Sequence, residues 1–167
     1  YKLKVKMTGL FSGYDREGVF GYSDEKGRIQ YTNIEIGDWK SIGVTSNGTF
    51  FGGSENTPAN GIKILNESDN ILIDTNITDG NWNAIEEYIN ITFFKKDDNS
   101  LYYWNGSSVV ATNITDISNW EFEEISTLNL LLLKGKNNNG FKVWRNNTFE
   151  TIADVGDGWR WETIVDG

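Results

Sequence analysis

The chain has 167 residues, with 15 Lys+Arg against 24 Asp+Glu for a formal net charge of −9. That length can bury the core of one domain, and the acidic balance disfavours nonspecific nucleic-acid binding and docking on anionic lipid. The chain contains neither His nor Cys, which excludes disulfides, thiol or imidazole catalysis and the usual zinc sites.

In chain order, short apolar or alternating runs rich in β-branched and aromatic residues are fenced by Gly, Asn, Asp and Ser, and each such run reads as a strand. A first unit passes from residues 1–7 through Leu10-Phe11 and Gly18-Val19-Phe20-Gly21-Tyr22 to Thr32-Asn33-Ile34, and ends at Trp39. A second begins at 40–45, continues through Thr49-Phe50-Phe51, Gly61-Ile62-Lys63-Ile64-Leu65 and Thr75-Asn76-Ile77, and ends at Trp82. The third runs from 83–89 through Thr92-Phe93-Phe94, Ser100-Leu101-Tyr102-Tyr103-Trp104 and Thr112-Asn113-Ile114 to Trp120. In the fourth, 121–126, Leu130-Leu131-Leu132 and Gly140-Phe141-Lys142-Val143-Trp144 lead to a degenerate Ala153-Asp154-Val155 and to Trp159. Residues 160–165 then start one more strand.

Four features therefore recur in one order, with boundary tryptophans 43, 38 and 39 residues apart. The pattern predicts an all-β chain: a β-propeller-like array of four-stranded antiparallel blades in a single domain. Its repeats are 1–39, 40–82, 83–120 and 121–159, with 160–167 as a surplus or closing strand. Asn-Gly pairs at Asn47-Gly48 and Asn105-Gly106 supply the positive φ of tight hairpins. A β-sandwich is the structural competitor, but it predicts no tryptophan at each repeat boundary. No apolar run approaches the roughly 20 residues of a membrane-spanning helix, so no membrane insertion is expected. The start at Tyr1-Lys2-Leu3 lacks a charged region leading into an apolar one, so no secretory leader is expected in it and the chain reads as processed or excised.

The boundary positions are the candidate ligand-binding residues: Asp38 with Trp39, Asn81 with Trp82, Asn119 with Trp120, and Asp157 with Trp159. An aromatic plate beside a polar side chain suits a sugar, whose C–H face stacks on the ring while an amide or carboxylate reads its hydroxyls. Packing between units would have the same periodicity and is the favoured structural duty of these tryptophans. Asn33, Asn76 and Asn113 are expected to complete backbone hydrogen bonds at strand ends. Tyr22, Tyr103, Trp104 and Trp144 add aromatic surface that reads as core.

Other chemistry is thin. Glu86-Glu87 and Glu123-Glu124 are adjacent on strands, so each doublet points to opposite faces and is no catalytic pair. Asp97-Asp98-Asn99 and residues 154–157 are oxygen-rich but lack EF-hand spacing, so neither metal nor cofactor is expected. Asn47, Asn66, Asn76, Asn90, Asn105, Asn113 and Asn146 each open an Asn-x-Ser/Thr sequon, and turn formation is the favoured reading of them.

The runs Asn-Gly-Thr-Phe-Phe-Gly-Gly (47–53), Gly-Ile-Lys-Ile-Leu (61–65) and Ile-Thr-Asp-Gly-Asn-Trp-Asn-Ala-Ile (77–85) resemble β-propeller lectins of the tachylectin and tectonin type. The resemblance implies repeated sites for sugars such as N-acetylglucosamine at the boundary positions. The expected function is non-enzymatic, multivalent recognition of surface carbohydrate, within a secreted bacterial or phage receptor-binding protein at an extracellular or virion surface. Partners would be cell-surface glycan and either other copies or the rest of a larger chain. A structural or protein-interaction scaffold is the alternative, and a glycoside hydrolase comes third.

Overall fold

The structure is a computed structural model describing residues 19–23, 29–35, 39–54, 61–69, 71–125, 128–136 and 140–153. Strands β1 (Val19–Ser23) and β2 (Ile29–Glu35) form an antiparallel pair. Strands β3 (Ser41–Thr45), β4 (Gly48–Gly52), β5 (Ile62–Asn66) and β6 (Ile71–Asp74) form a first four-stranded sheet. A second contains β7 (Trp82–Tyr88), β8 (Ile91–Lys96), β9 (Leu101–Trp104) and β10 (Val109–Ala111). A third contains β11 (Trp120–Ile125), β12 (Leu130–Gly135), β13 (Phe141–Arg145) and β14 (Thr148–Ala153). Each sheet is an antiparallel meander in sequence order, and Ile117–Asn119 is one 3-10 turn between the last two.

The chain is thus all-β and built from repeated four-stranded sheets. It differs from the expected four-blade array: the described residues hold three complete sheets and one two-stranded sheet, in an open row rather than a closed ring. The missing parts of the first and fifth units, residues 1–7, Leu10-Phe11 and 160–165, lie outside the described residues. A second difference concerns Thr-Asn-Ile. Thr32-Asn33-Ile34 falls within β2, but Thr75-Asn76-Ile77 and Thr112-Asn113-Ile114 follow the ends of β6 and β10 and are not strand.

Equivalent strands pair in equivalent register: Phe50 lies opposite Ile64, Phe93 opposite Tyr103, and Leu132 opposite Val143. The second strands carry continuous apolar runs because both faces of each sheet are covered. Phe50 packs toward the second sheet while Phe51 packs back on Ile34; Phe94 packs toward the first sheet while Phe93 packs toward the third. The interfaces repeat in detail. Phe50 meets Trp104 edge-on at 5.2 Å between ring centroids, and Phe93 meets Trp144 edge-on at 5.3 Å.

The Thr-Asn-Ile segments hold the units together. The Thr75 hydroxyl donates to the Ile62 carbonyl at 2.6 Å, and Thr112 does the same to Leu101 at 2.8 Å, pinning each segment to its own third strand. The next residue reaches into the following unit. Asn76 donates to the Val109 carbonyl at 2.8 Å and accepts from the Val109 N–H at 2.7 Å. Asn113 makes the same pair with Phe149, at 2.8 and 3.0 Å. A side-chain amide has the donor and acceptor geometry of a peptide group, so each Asn acts as one extra residue of strand pairing on β10 and β14. Ile114 then enters the core between the second and third sheets.

Candidate functional site

The boundary residues have mostly structural surroundings. Trp82 is 1% exposed, meets Tyr102 edge-on at 5.1 Å and donates its indole N–H to the Asp79 carbonyl at 3.1 Å, so its ring has no free face. Trp39 is half-buried and edge-on to Phe51 at 5.4 Å. Trp120 is half-buried with the Lys142 ammonium 5.2 Å from its ring centroid. Asn81 accepts from the Ser54 hydroxyl, 27 residues away, at 2.9 Å, and exposed Asn119 donates to the Asp116 carboxylate at 2.7 Å within its own turn. Asp38, Asp157 and Trp159 lie outside the described residues. Three of the four tryptophans are therefore placed, each against a different neighbour.

A different set of residues does converge. In a four-stranded meander the first-to-second and third-to-fourth hairpins leave from one rim, whereas the boundary tryptophans sit at the starts of first strands, with Trp82 and Trp120 the first residues of β7 and β11, and so lie on the opposite rim. On the hairpin rim the turns β3–β4, β9–β10 and β13–β14, one from each sheet, surround a groove of about 230 Å³. Tyr103, Trp104 and Trp144 are its aromatic lining, with Asn47, Asn105 and Asn147 around them. Tyr103 and Trp144 are almost closed off, edge-on at 5.0 Å, while Trp104 is half-buried.

The asparagines are positioned by their turns. Positive φ falls on Gly48 and Gly106 in the two Asn-Gly hairpins, and on Asn146 and Asn147 in the β13–β14 turn, where both central residues are left-handed as a type I′ hairpin requires. The Asn47 amide nitrogen donates to the Asn90 carbonyl at 2.9 Å and to the Thr92 hydroxyl at 3.1 Å, leaving its oxygen as an open acceptor. In Asn105 the oxygen accepts from the Ser107 and Ser108 backbone N–H groups at 3.0 and 2.9 Å, leaving its nitrogen with open donors. The exposed Asn147 amide has no side-chain hydrogen bond among the described residues. The sequence pattern marks Asn47 and Asn105 as turn residues and gives Asn147 no role. The available signal was topological: odd-numbered connections of a meander share a rim.

Carboxylates are engaged elsewhere. Glu87 accepts from the Ser46 N–H at 2.9 Å and from the Ser46 hydroxyl, tying the first hairpin of one sheet to the next sheet. Glu86 accepts from the Tyr88 hydroxyl at 2.8 Å. Burial, followed by that hydrogen bond and the charges of Glu86 and Glu124, holds the Tyr88 phenol well above its ordinary range. Asp98 caps its own turn: hydrogen bonds from the Ser100 hydroxyl and N–H, with Lys96 nearby, hold its carboxyl below the usual range. No group of three or more acidic side chains that could hold a metal ion occurs among the described residues. No helix among them is long and apolar enough to cross a membrane.

Compared with known proteins, the chain matches no family model and no curated protein sequence.

Proposed function

We propose that this chain is a non-enzymatic binding module for surface carbohydrate, and that the groove on the hairpin rim is its best-formed site. One observation carries the reading: turns from three successive sheets bring two indoles, a phenol ring and three asparagines around one groove, with open amide donors and acceptors at its edge. An aromatic wall with planar amides suits a ligand that is apolar on its ring faces and polar around its rim. The positions equivalent to Trp104 and Trp144 in the first sheet hold Leu65, which is buried and aliphatic, so repeats share the frame but not the aromatic wall. Multivalency then comes from display of several chains or further units, with avidity compensating for shallow sites. Residence at an extracellular or virion surface belongs to the same proposal.

Glu86 and Glu87 bind neighbouring side chains rather than facing one another across a cleft, which favours binding over glycoside hydrolysis. The asparagine clasps favour the alternative of a scaffold, since they serve assembly alone. A glycan array on the full chain separates the two. Hits weakened by Asn105→Ala and Asn147→Gly support the groove, whereas cleavage of a bound glycan or a blank array contradicts it.

A further inference from the structure

The groove's size, charge and free hydrogen-bonding groups narrow its ligand. About 230 Å³ lies below the roughly 300–1,000 Å³ of sites that enclose drug-sized molecules, which is room for about one sugar ring within the groove, and any further ring would extend past its lining. No Asp, Glu, Lys or Arg lines it. Carboxylate and sulfate recognition relies on Arg or Lys, and a net charge of −9 adds a repulsive background for anions. What remains at the edge is the Asn105 nitrogen as donor, the Asn47 oxygen as acceptor and the Asn147 amide as both. A hydroxyl is likewise donor and acceptor, so a ring of hydroxyls satisfies all three where a carboxylate satisfies only the donors.

From this we infer that the groove takes a single neutral pyranose at the terminus of a glycan and discriminates against sugars bearing a carboxylate. The inference rests on the carbohydrate reading above. Trp104, the half-buried member of the aromatic set, supplies the stacking face, while Tyr103 and Trp144 are the floor. Asn105 and Asn147 set selectivity, because an unmatched amide at the groove edge costs binding only to ligands that leave it unpaired.

The test titrates the full chain, by tryptophan fluorescence and by NMR, with the methyl pyranosides of glucose, galactose and mannose. The methyl glycosides of glucuronic and galacturonic acid, and one trisaccharide ending in the best neutral sugar, complete the series. At least one neutral glycoside should bind, with its uronic counterpart weaker by about tenfold or more. The trisaccharide should differ from the monosaccharide by less than about threefold, because its further rings find no contacts. Asn147→Gly, which keeps the positive φ of the turn, should weaken the neutral ligand about three- to tenfold with little change in thermal midpoint, and Asn105→Asp should weaken it while strengthening nothing acidic. Trp104→Ala removes inter-sheet packing as well, so the exposed Asn147 variant carries the decision. A uronate that binds as well as its neutral partner, a trisaccharide tighter by about tenfold, or binding indifferent to both asparagine variants overturns the inference while leaving carbohydrate binding intact. Absence of binding to any sugar, here and on the array, overturns both.

Discussion

Gly43 on β3 lies so close to Ile85 on β7 that a methyl group there would sit 2.6 Å from the Ile85 Cβ and 2.9 Å from its carbonyl oxygen. First strands of successive sheets meet backbone against side chain at this point, with no space for a Cβ. Gly43→Ala should therefore push the two sheets apart and destabilise the chain by about 1–3 kcal/mol. An unchanged denaturation midpoint would show that the sheets are free to slide.

Removing the Asn113 amide strands the Phe149 N–H and carbonyl together. Asn113→Ala is expected to cost about 1–3 kcal/mol, with faster hydrogen exchange at the Phe149 amide. Asn113→Asp keeps an acceptor for the N–H but sets a carboxylate against the carbonyl, so it should rescue little. If aspartate proves as stable as asparagine in urea melts, the donor half of the clasp contributes nothing.

Trp82 fills the space between the first two four-stranded sheets. Deleting so large and fully buried a side chain, as in Trp82→Ala, should cost about 3–5 kcal/mol. A loss under about 1 kcal/mol in chemical denaturation would be incompatible with this packing.

Tyr88 stacks on Phe122 with ring centroids 4.2 Å apart and planes 14° from parallel, and its phenol holds its proton more tightly than an unfolded tyrosine does. Below about pH 10 the phenol is protonated in both states and the contribution is intact. As pH rises past that value the unfolded chain releases the proton first, so stability falls with increasing pH. Tyr88→Phe should remove this component of the alkaline loss, read by unfolding curves across pH and by tyrosinate absorbance of the folded chain. Equal alkaline sensitivity in both proteins would place the loss elsewhere.

Strand order was legible from local composition. Apolar runs such as Thr49-Phe50-Phe51 and Gly140-Phe141-Lys142-Val143-Trp144 mark β4 and β13 within a residue or two, because a strand covered on both faces must be apolar at consecutive positions. The structural duty of Asn76 and Asn113 was legible too, from repetition in one place. Their partners were not: Val109 and Phe149 lie 33 and 36 residues away, and nothing local to a Thr-Asn-Ile segment specifies which backbone it will meet.

Local pattern alone specifies an all-β chain of four-stranded repeats, a chemistry without imidazole or thiol, and the turns at Asn47 and Asn105. That Trp82 is sealed in the core while Trp104 keeps part of its ring in a groove emerges only in three dimensions. Both are aromatic residues at the end of a strand, and sequence periodicity treats them alike. What separates them is the rim to which each strand end is carried and the sheet that packs over it, and these follow from strand pairings between residues distant in the chain.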